Sequence, residues 1–211
     1  MSKKLFGGRT LARSQALQLL FQAEANGRTV EEVLAGDYVI DCGPLDDFGH
    51  DLAVGCDKRR YDVDAIIATR SMTWSLFRLP AVDRNLLRLA LYEMLLVDEV
   101  DIPVTINESV ELAKAYGTEE SSAYINGILG RVADDIEAGV DVVKKAYDAL
   151  AERGETIEDL EYMFDARFDV YEEPEIEHEP FGSDREDEMS GGVYHVEGPG
   201  ANDDDDYEGR W

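Results

Sequence analysis

The chain has 211 residues, 44% of them apolar, and a net charge of −27, which suits one domain with an appendage. No apolar run approaches the ~20 residues of a membrane helix. The opening MSKKLFGG has two lysines but no apolar stretch of ~7–15 residues behind them, so no signal peptide is read. Two isolated cysteines, Cys42 and Cys56, and three histidines give no metal-ligand spacing and no Ser–His or Cys–His arrangement. The expectation is a reduced, cytoplasmic protein with no metal, cofactor or catalytic residues.

In residues 9–26, Leu11, Ala12, Ala16, Leu19, Leu20 and Ala23 follow a 3.6 period and Gly27 ends the run, which predicts a first helix. Thr29 and Glu32 have capping-box spacing for a short second helix. Pro44 and the Asp-Asp-Phe beyond it open a third, with Phe48, Leu52 and Cys56 on its apolar side. Asp62 is placed to cap a fourth that carries Val63, Ile66, Ile67 and Arg70. After WSLFRL, Pro80 takes a first helical position, where its missing N–H costs nothing. Residues 80–97, with Val82, Leu86, Leu89, Ala90, Leu96 and Val97, are the most apolar and are expected at the centre.

Pro103 then interrupts, and Thr105 with Glu108 again fits a capping box. Ile106, Val110, Ala113 and Gly117 form one stripe, with Gly117 as the stop. Thr118 is expected to cap the next helix, placing Glu119 and Glu120 in a first turn whose dipole favours anions. Ile125, Ile128, Leu129, Val132 and Ile136 make its buried stripe, and Gly139 ends it. Strand signals are few. The expected class is all-α, a helical bundle.

Residues 140–153 read as one more amphipathic helix, ended by Gly154, and Thr156 with Asp159 starts another. From residue 171 the chain combines high acidic charge with Pro and Gly, which cannot offset ordering entropy and reads as disordered. The organisation expected is therefore 1–139 as the main helical domain, 140–170 as a helical extension and 171–211 as an acidic tail. Residues 141–211 carry a net −18, whereas the first 30 carry +4 from Lys3, Lys4, Arg9, Arg13 and Arg28 against Glu24. Binding follows a local patch rather than a total, so the whole-chain charge does not exclude nucleic acid.

Three groups of residues invite a functional reading. Asn107, Glu111 and Lys114 are spaced i, i+4, i+7 and share a face, open to three readings: a solvated face, a docking face or a site of chemistry. Arg9 and Arg13 are i, i+4 and place two guanidiniums on one side, where the planar fork suits phosphate or serves as plain surface charge. Phe21 is a candidate stacking plate or a core residue. Gly127 and Gly130 lie inside a helical stripe at a cost of about 0.5–1 kcal/mol each, which points to a close helix crossing or to a ligand backbone. The acidic tail is either a solvating appendage or a nucleic-acid mimic that competes for the basic N-terminus.

Several segments in order resemble the NusB family. They are RTLARSQALQLLFQ at 9–22, FGHDLAVG at 48–55, WSLFRLPAVDRNLLRLALYEML at 74–95, DIPVTINESVELAKAYG at 101–117 and ESSAYINGILGRV at 120–132. The resemblance covers about residues 9–138. It implies two small helical bundles packed together. It also implies a transcription antitermination factor, not an enzyme, that binds boxA RNA with the ribosomal protein NusE. In that role it joins RNA polymerase and other Nus factors on ribosomal RNA operons, as a monomer or homodimer with no membrane partner.

Carried onto this sequence, the resemblance implies RNA contact by Arg9, Arg13, Phe21, Glu120, Ser121 and Tyr124, with Lys3 and Lys4 as added cations. It implies partner contact by Asp83, Arg84, Arg88, Glu93, Asn107 and Glu111. The chain departs from the family at Arg9-Thr10-Leu11, where members often carry consecutive arginines. The alternative expectation is a protein-docking scaffold of the same fold with little RNA affinity of its own.

Overall fold

The computed structural model describes residues 6–71, 76–156 and 159. They form eight α-helices and one short 3-10 turn, with no strand among the described residues. The helices are α1 (Gly8–Ala25), α2 (Val30–Leu34), α3 (Asp47–Lys58), α4 (Arg60–Arg70), α5 (Ala81–Leu96), α6 (Ile102–Tyr116), α7 (Ser121–Glu137) and α8 (Val142–Glu152). The 3-10 turn spans Leu76–Arg78. The all-α architecture matches the pattern of helical periods and stops in the sequence.

Helices α1, α2 and α3 pack together as one group. A second group holds α4, α5, α6 and α7, and α5 joins the two by packing on α1 and α3. Helix α5 is buried on nearly every side: Leu86, Leu87, Leu89, Ala90, Leu91 and Met94 are all in the core. A helix enclosed all round is expected to be apolar all round, yet α5 also buries Asp83, Arg84, Asn85, Arg88 and Glu93. Those polar groups form the centre of the molecule's electrostatics.

Local chemistry explains most of the boundaries. Thr29 and Glu32 form the expected reciprocal capping box on α2, satisfying two otherwise unpaired N–H groups. Asp46 caps α3 by accepting from the Phe48 N–H. Gly139 ends α7 at φ +75°, a left-handed conformation that glycine adopts without a Cβ clash. Three expected caps differ. Helix α4 begins at Arg60, so Asp62 lies inside its first turn and pairs with Arg59. Helix α6 begins at Ile102 with Pro103 in its first turn, so the proline starts the helix rather than interrupting it. Thr105 is therefore internal and donates to Glu93, while Glu108 accepts from Thr10 rather than closing a capping box. Helix α7 begins at Ser121, which leaves Glu119 and Glu120 before it.

Close helix approach occurs at Gly49, where an added Cβ would sit 2.6 Å from the Ala12 carbonyl oxygen. It does not occur at Gly127 or Gly130: a Cβ at Gly130 would meet nothing within 4 Å, and one at Gly127 only the end of Arg131 at 4.0 Å. The expected crossing is thus on α3, because that is where α1 passes. Helix α8 adds Val142, Ala146 and Leu150 to the same core and packs on α4. Tyr147 Oη donates to Asp62 Oδ1 at 3.1 Å. Lys3, Lys4 and residues 171–211 lie outside the described residues.

Candidate nucleic-acid and partner interface

Helix α1 carries the two arginines expected to face RNA, and they part company. Arg9 is exposed, lies 4.8 Å from the Phe48 ring centroid and donates to Glu99 at 3.0 Å. Arg13 is 3% exposed. Its Nη2 and Nε donate to the two oxygens of Glu93 at 2.6 and 2.8 Å, with Glu108 at 3.5 Å as a second carboxylate. A guanidinium bound bidentately in the interior has no fork left for phosphate. Arg13 therefore ties α1 to α5 rather than presenting charge.

The same correction applies to four residues expected to face a partner. Asp83, Arg84, Arg88 and Glu93 are all buried. Arg84 and Arg88 both donate to Glu24, and Arg88 also makes a fork to Asp64 with contacts of 2.6 and 2.8 Å. Asn85 Nδ2 donates to Glu24 at 3.0 Å. Burial alone would favour neutral Glu24, but the hydrogen bond from Arg84 and the charges of Arg88 and Arg84 hold its carboxyl below the usual range. Burial likewise opposes the charge on Arg88, and Asp64 with Glu24 raises its affinity for the proton. Buried ions of this kind persist because each has a close partner. The adjacent Cys56 thiol is pushed well above its ordinary value by burial, which leaves it an inert core group.

Asn107 is exposed on α6, and Glu111 is half-buried with Lys114 Nζ donating to it at 2.7 Å. That pair is the i, i+3 bridge expected from the spacing.

Glu120, Ser121 and Tyr124 come together in a cleft of about 270 Å³, whose walls also include Arg78, Leu79, Pro80, Asp83 and Thr118. Tyr124 Oη donates to Ser71 Oγ at 2.9 Å, which fixes its ring. Ser121 Oγ donates to Asp83 Oδ2 at 2.9 Å and accepts from the Thr118 N–H. Asp83 Oδ1 is buried with no hydrogen-bond partner among the described residues. Burial raises the Asp83 carboxyl above its ordinary range, partly offset by the Ser121 hydrogen bond.

A second, more open groove of about 500 Å³ is lined by Leu17, Gln18, Phe21, Gln22, Val39, Val82 and Tyr116. Phe21 is 41% exposed there rather than core. Three glutamines of α1 hold the groove's loop wall. Gln15 donates to the Cys42 and Pro44 carbonyls, Gln18 accepts from the Asp41 N–H, and Gln22 both donates to and accepts from the Val39 backbone. The spacing of Gln15, Gln18 and Gln22 along one side of α1 is the sequence signal for this wall. Among the described residues no group of three or more His, Cys, Asp or Glu is placed to hold a metal, and no helix is long and apolar enough to cross a membrane.

The NusB family pattern matches residues 10–134, more than half of the sequence. The chain belongs to the NusB family. A relative named transcription antitermination protein NusB, from Salinispora tropica, is 45% identical over 130 residues, which cover 60% of this chain and 95% of the relative. The T. maritima NusB structure superposes with a TM-score of 0.53 at 35% identity, covering 62% of this chain and 94% of that one. A structure described as antitermination factors NusB and NusE in complex with dsRNA is 24% identical, with a TM-score of 0.50 and coverage of 59% and 94%. At that identity it supports the NusB fold alone. The cleft and the groove both lie on elements within the family match, whereas α8 lies beyond it.

Proposed function

We propose that this chain is a transcription antitermination factor that binds boxA-type RNA together with the ribosomal protein NusE and supports transcription of ribosomal RNA operons. Membership of the NusB family across residues 10–134 carries the reading. The relative from Salinispora tropica bears the antitermination name, and NusE with dsRNA accompanies a NusB chain of the same fold. The reading assigns no reaction to the protein and places it in the cytoplasm, working with RNA polymerase and other Nus factors.

The exposed members of the expected set keep their roles in this proposal. Arg9 supplies a phosphate contact, and Glu120, Ser121 and Tyr124 form a cleft wide enough for an unstacked base, with a fixed ring as its platform. The Phe21 groove has no charged residue among the described residues of its lining, so it suits a protein side chain better than a phosphate-bearing strand, and we assign NusE there. Asn107 and Glu111 extend the partner surface on α6. Arg13, Asp83, Arg84, Arg88 and Glu93 act from the interior by fixing the helices that present these surfaces.

The burial of Arg13 favours one second reading, a protein-docking scaffold with little RNA affinity of its own, because Arg9 is then the one exposed cation of α1. Titration of boxA and scrambled RNA, with and without NusE at two salt concentrations, separates the two. A boxA preference that appears with NusE is expected. Equal affinity for boxA and scrambled RNA even with NusE would leave the scaffold reading in its place.

A further inference from the structure

Asparagine precedes glycine twice in the chain, at Asn26-Gly27 and at Asn126-Gly127. Both asparagines are exposed, but their backbones differ. Asn26 is the residue after α1, and Gly27 follows at φ +60°. With Arg28 they form a helix-ending turn: the Gly27 N–H donates to the Glu24 carbonyl at 3.3 Å and the Arg28 N–H to the Ala23 carbonyl at 2.9 Å. An added Cβ at Gly27 would meet nothing within 4 Å, so the space beside that peptide is open. Asn126 and Gly127 instead lie inside α7, with helical turns on both sides.

We propose that Asn26 is a site of spontaneous modification, losing its side-chain amide through attack by the Gly27 nitrogen, whereas α7 protects Asn126. The reaction needs only water. The Gly27 backbone nitrogen bonds to Asn26 Cγ, the Cγ–Nδ2 bond breaks, and ammonia leaves with the proton that Gly27 gives up. Water then opens the cyclic imide at one carbonyl or the other, leaving aspartate or isoaspartate at position 26.

The fold decides which asparagine reacts. Ring closure at Asn26 requires the Gly27 N–H to leave the Glu24 carbonyl and Asn26 Nδ2 to leave the Gln22 carbonyl, to which it donates at 2.7 Å. Openings at a helix end cost little free energy, whereas the Gly127 N–H comes free only when the middle of α7 opens. The product also changes the end of α1. It sets a negative charge beside the carbonyl end of the helix, where the dipole disfavours anions, and it removes the donor to Gln22. Gln22 holds the Val39 backbone in the wall of the Phe21 groove, so modification loosens the last turn of α1 and the loop attached to it.

The test is incubation of the full chain in warm, mildly alkaline buffer, followed by tryptic peptide mass spectrometry of the segments that hold Asn26 and Asn126. Loss of the Asn26 amide at least about tenfold faster than that of Asn126 is expected, the factor that roughly 1.4 kcal/mol of extra opening free energy supplies. The two isomeric products should separate by chromatography. In concentrated urea the two rates should converge, because both pairs then react as open chain. Gly27→Ala should slow the reaction at position 26 and leave Asn126 unchanged, since a methyl then crowds the attacking nitrogen. Asn26→Asp should melt below the unmodified chain, and an unchanged melt overturns the loosening of α1. Equal rates at the two sites in the folded chain overturn the inference, as does an Asn26 amide that survives in buffer while the urea-treated chain loses it.

Discussion

Arg13 and Glu93 meet in the core as a two-pronged ion pair, 2.6 Å at its shortest, with side chains 4% and 1% exposed. The pair joins α1 to α5, and Thr105 from α6 donates to the same Glu93 oxygen at 2.9 Å. Three helices thus converge on one carboxylate.

Removing one partner of a buried pair strands the other charge and typically costs 3–5 kcal/mol. Arg13→Met should therefore lower the urea midpoint sharply, and Arg13→Met with Glu93→Leu should recover part of the loss. An RNA-contacting arginine would behave differently: its loss would weaken binding and leave the denaturation midpoint in place.

The Glu24 cluster should impose an acid limit. The folded-state value of Glu24 lies below its ordinary 4.5, so its contribution is complete above about 4.5 and is lost as pH falls through the lower folded value. Unfolding free energy measured across that acid range should decline. Glu24→Gln should be less stable at neutral pH and show a shallower acid decline, since it has no proton to take up.

Glycine substitutions should split by location. Gly49→Ala forces a methyl toward the Ala12 carbonyl and should cost about 1–3 kcal/mol as an overpacked contact. Gly130→Ala enters open space inside α7 and should gain about 0.5–1 kcal/mol from helix propensity. Thermal melts of the two variants should move in opposite directions.

Glu99 occupies the guanidinium proposed for RNA. Exposed pairs are worth about 0–1 kcal/mol, so Glu99→Gln should tighten RNA binding by no more than a few-fold at low salt, with the gain vanishing at high salt. Phe21→Ala should weaken NusE binding and leave the melting temperature nearly unchanged, because the ring is half in solvent.

The helical pattern was legible because each helix carries a 3.6 period and most end at a glycine or a cap. The starts of α4, α6 and α7 were harder: Asp62, Thr105 and Thr118 have the chemistry of caps, and partners from other helices, Tyr147 and Glu93, claimed two of them instead. Charged residues on α5 read as surface because charge is rarely buried. The pairing of Arg84 and Arg88 with Glu24, some 60 residues away in sequence, and the fork of Arg88 to Asp64 make their burial possible, and no local pattern encodes those pairings. The Glu120, Ser121 and Tyr124 cleft was legible through the family segment. The buried Asp83 oxygen without a partner among the described residues was not, because an unmet acceptor is visible only once its surroundings are placed.

Tyr147 anchors α8 on Asp62, and Val142, Ala146 and Leu150 complete the core beyond the end of the family match. A truncation designed from the family boundary would thus cut through a supporting wall. Shortened versions of the protein should retain the chain through residue 152, or the apolar side of α4 becomes a new sticky surface and aggregation will be mistaken for loss of function.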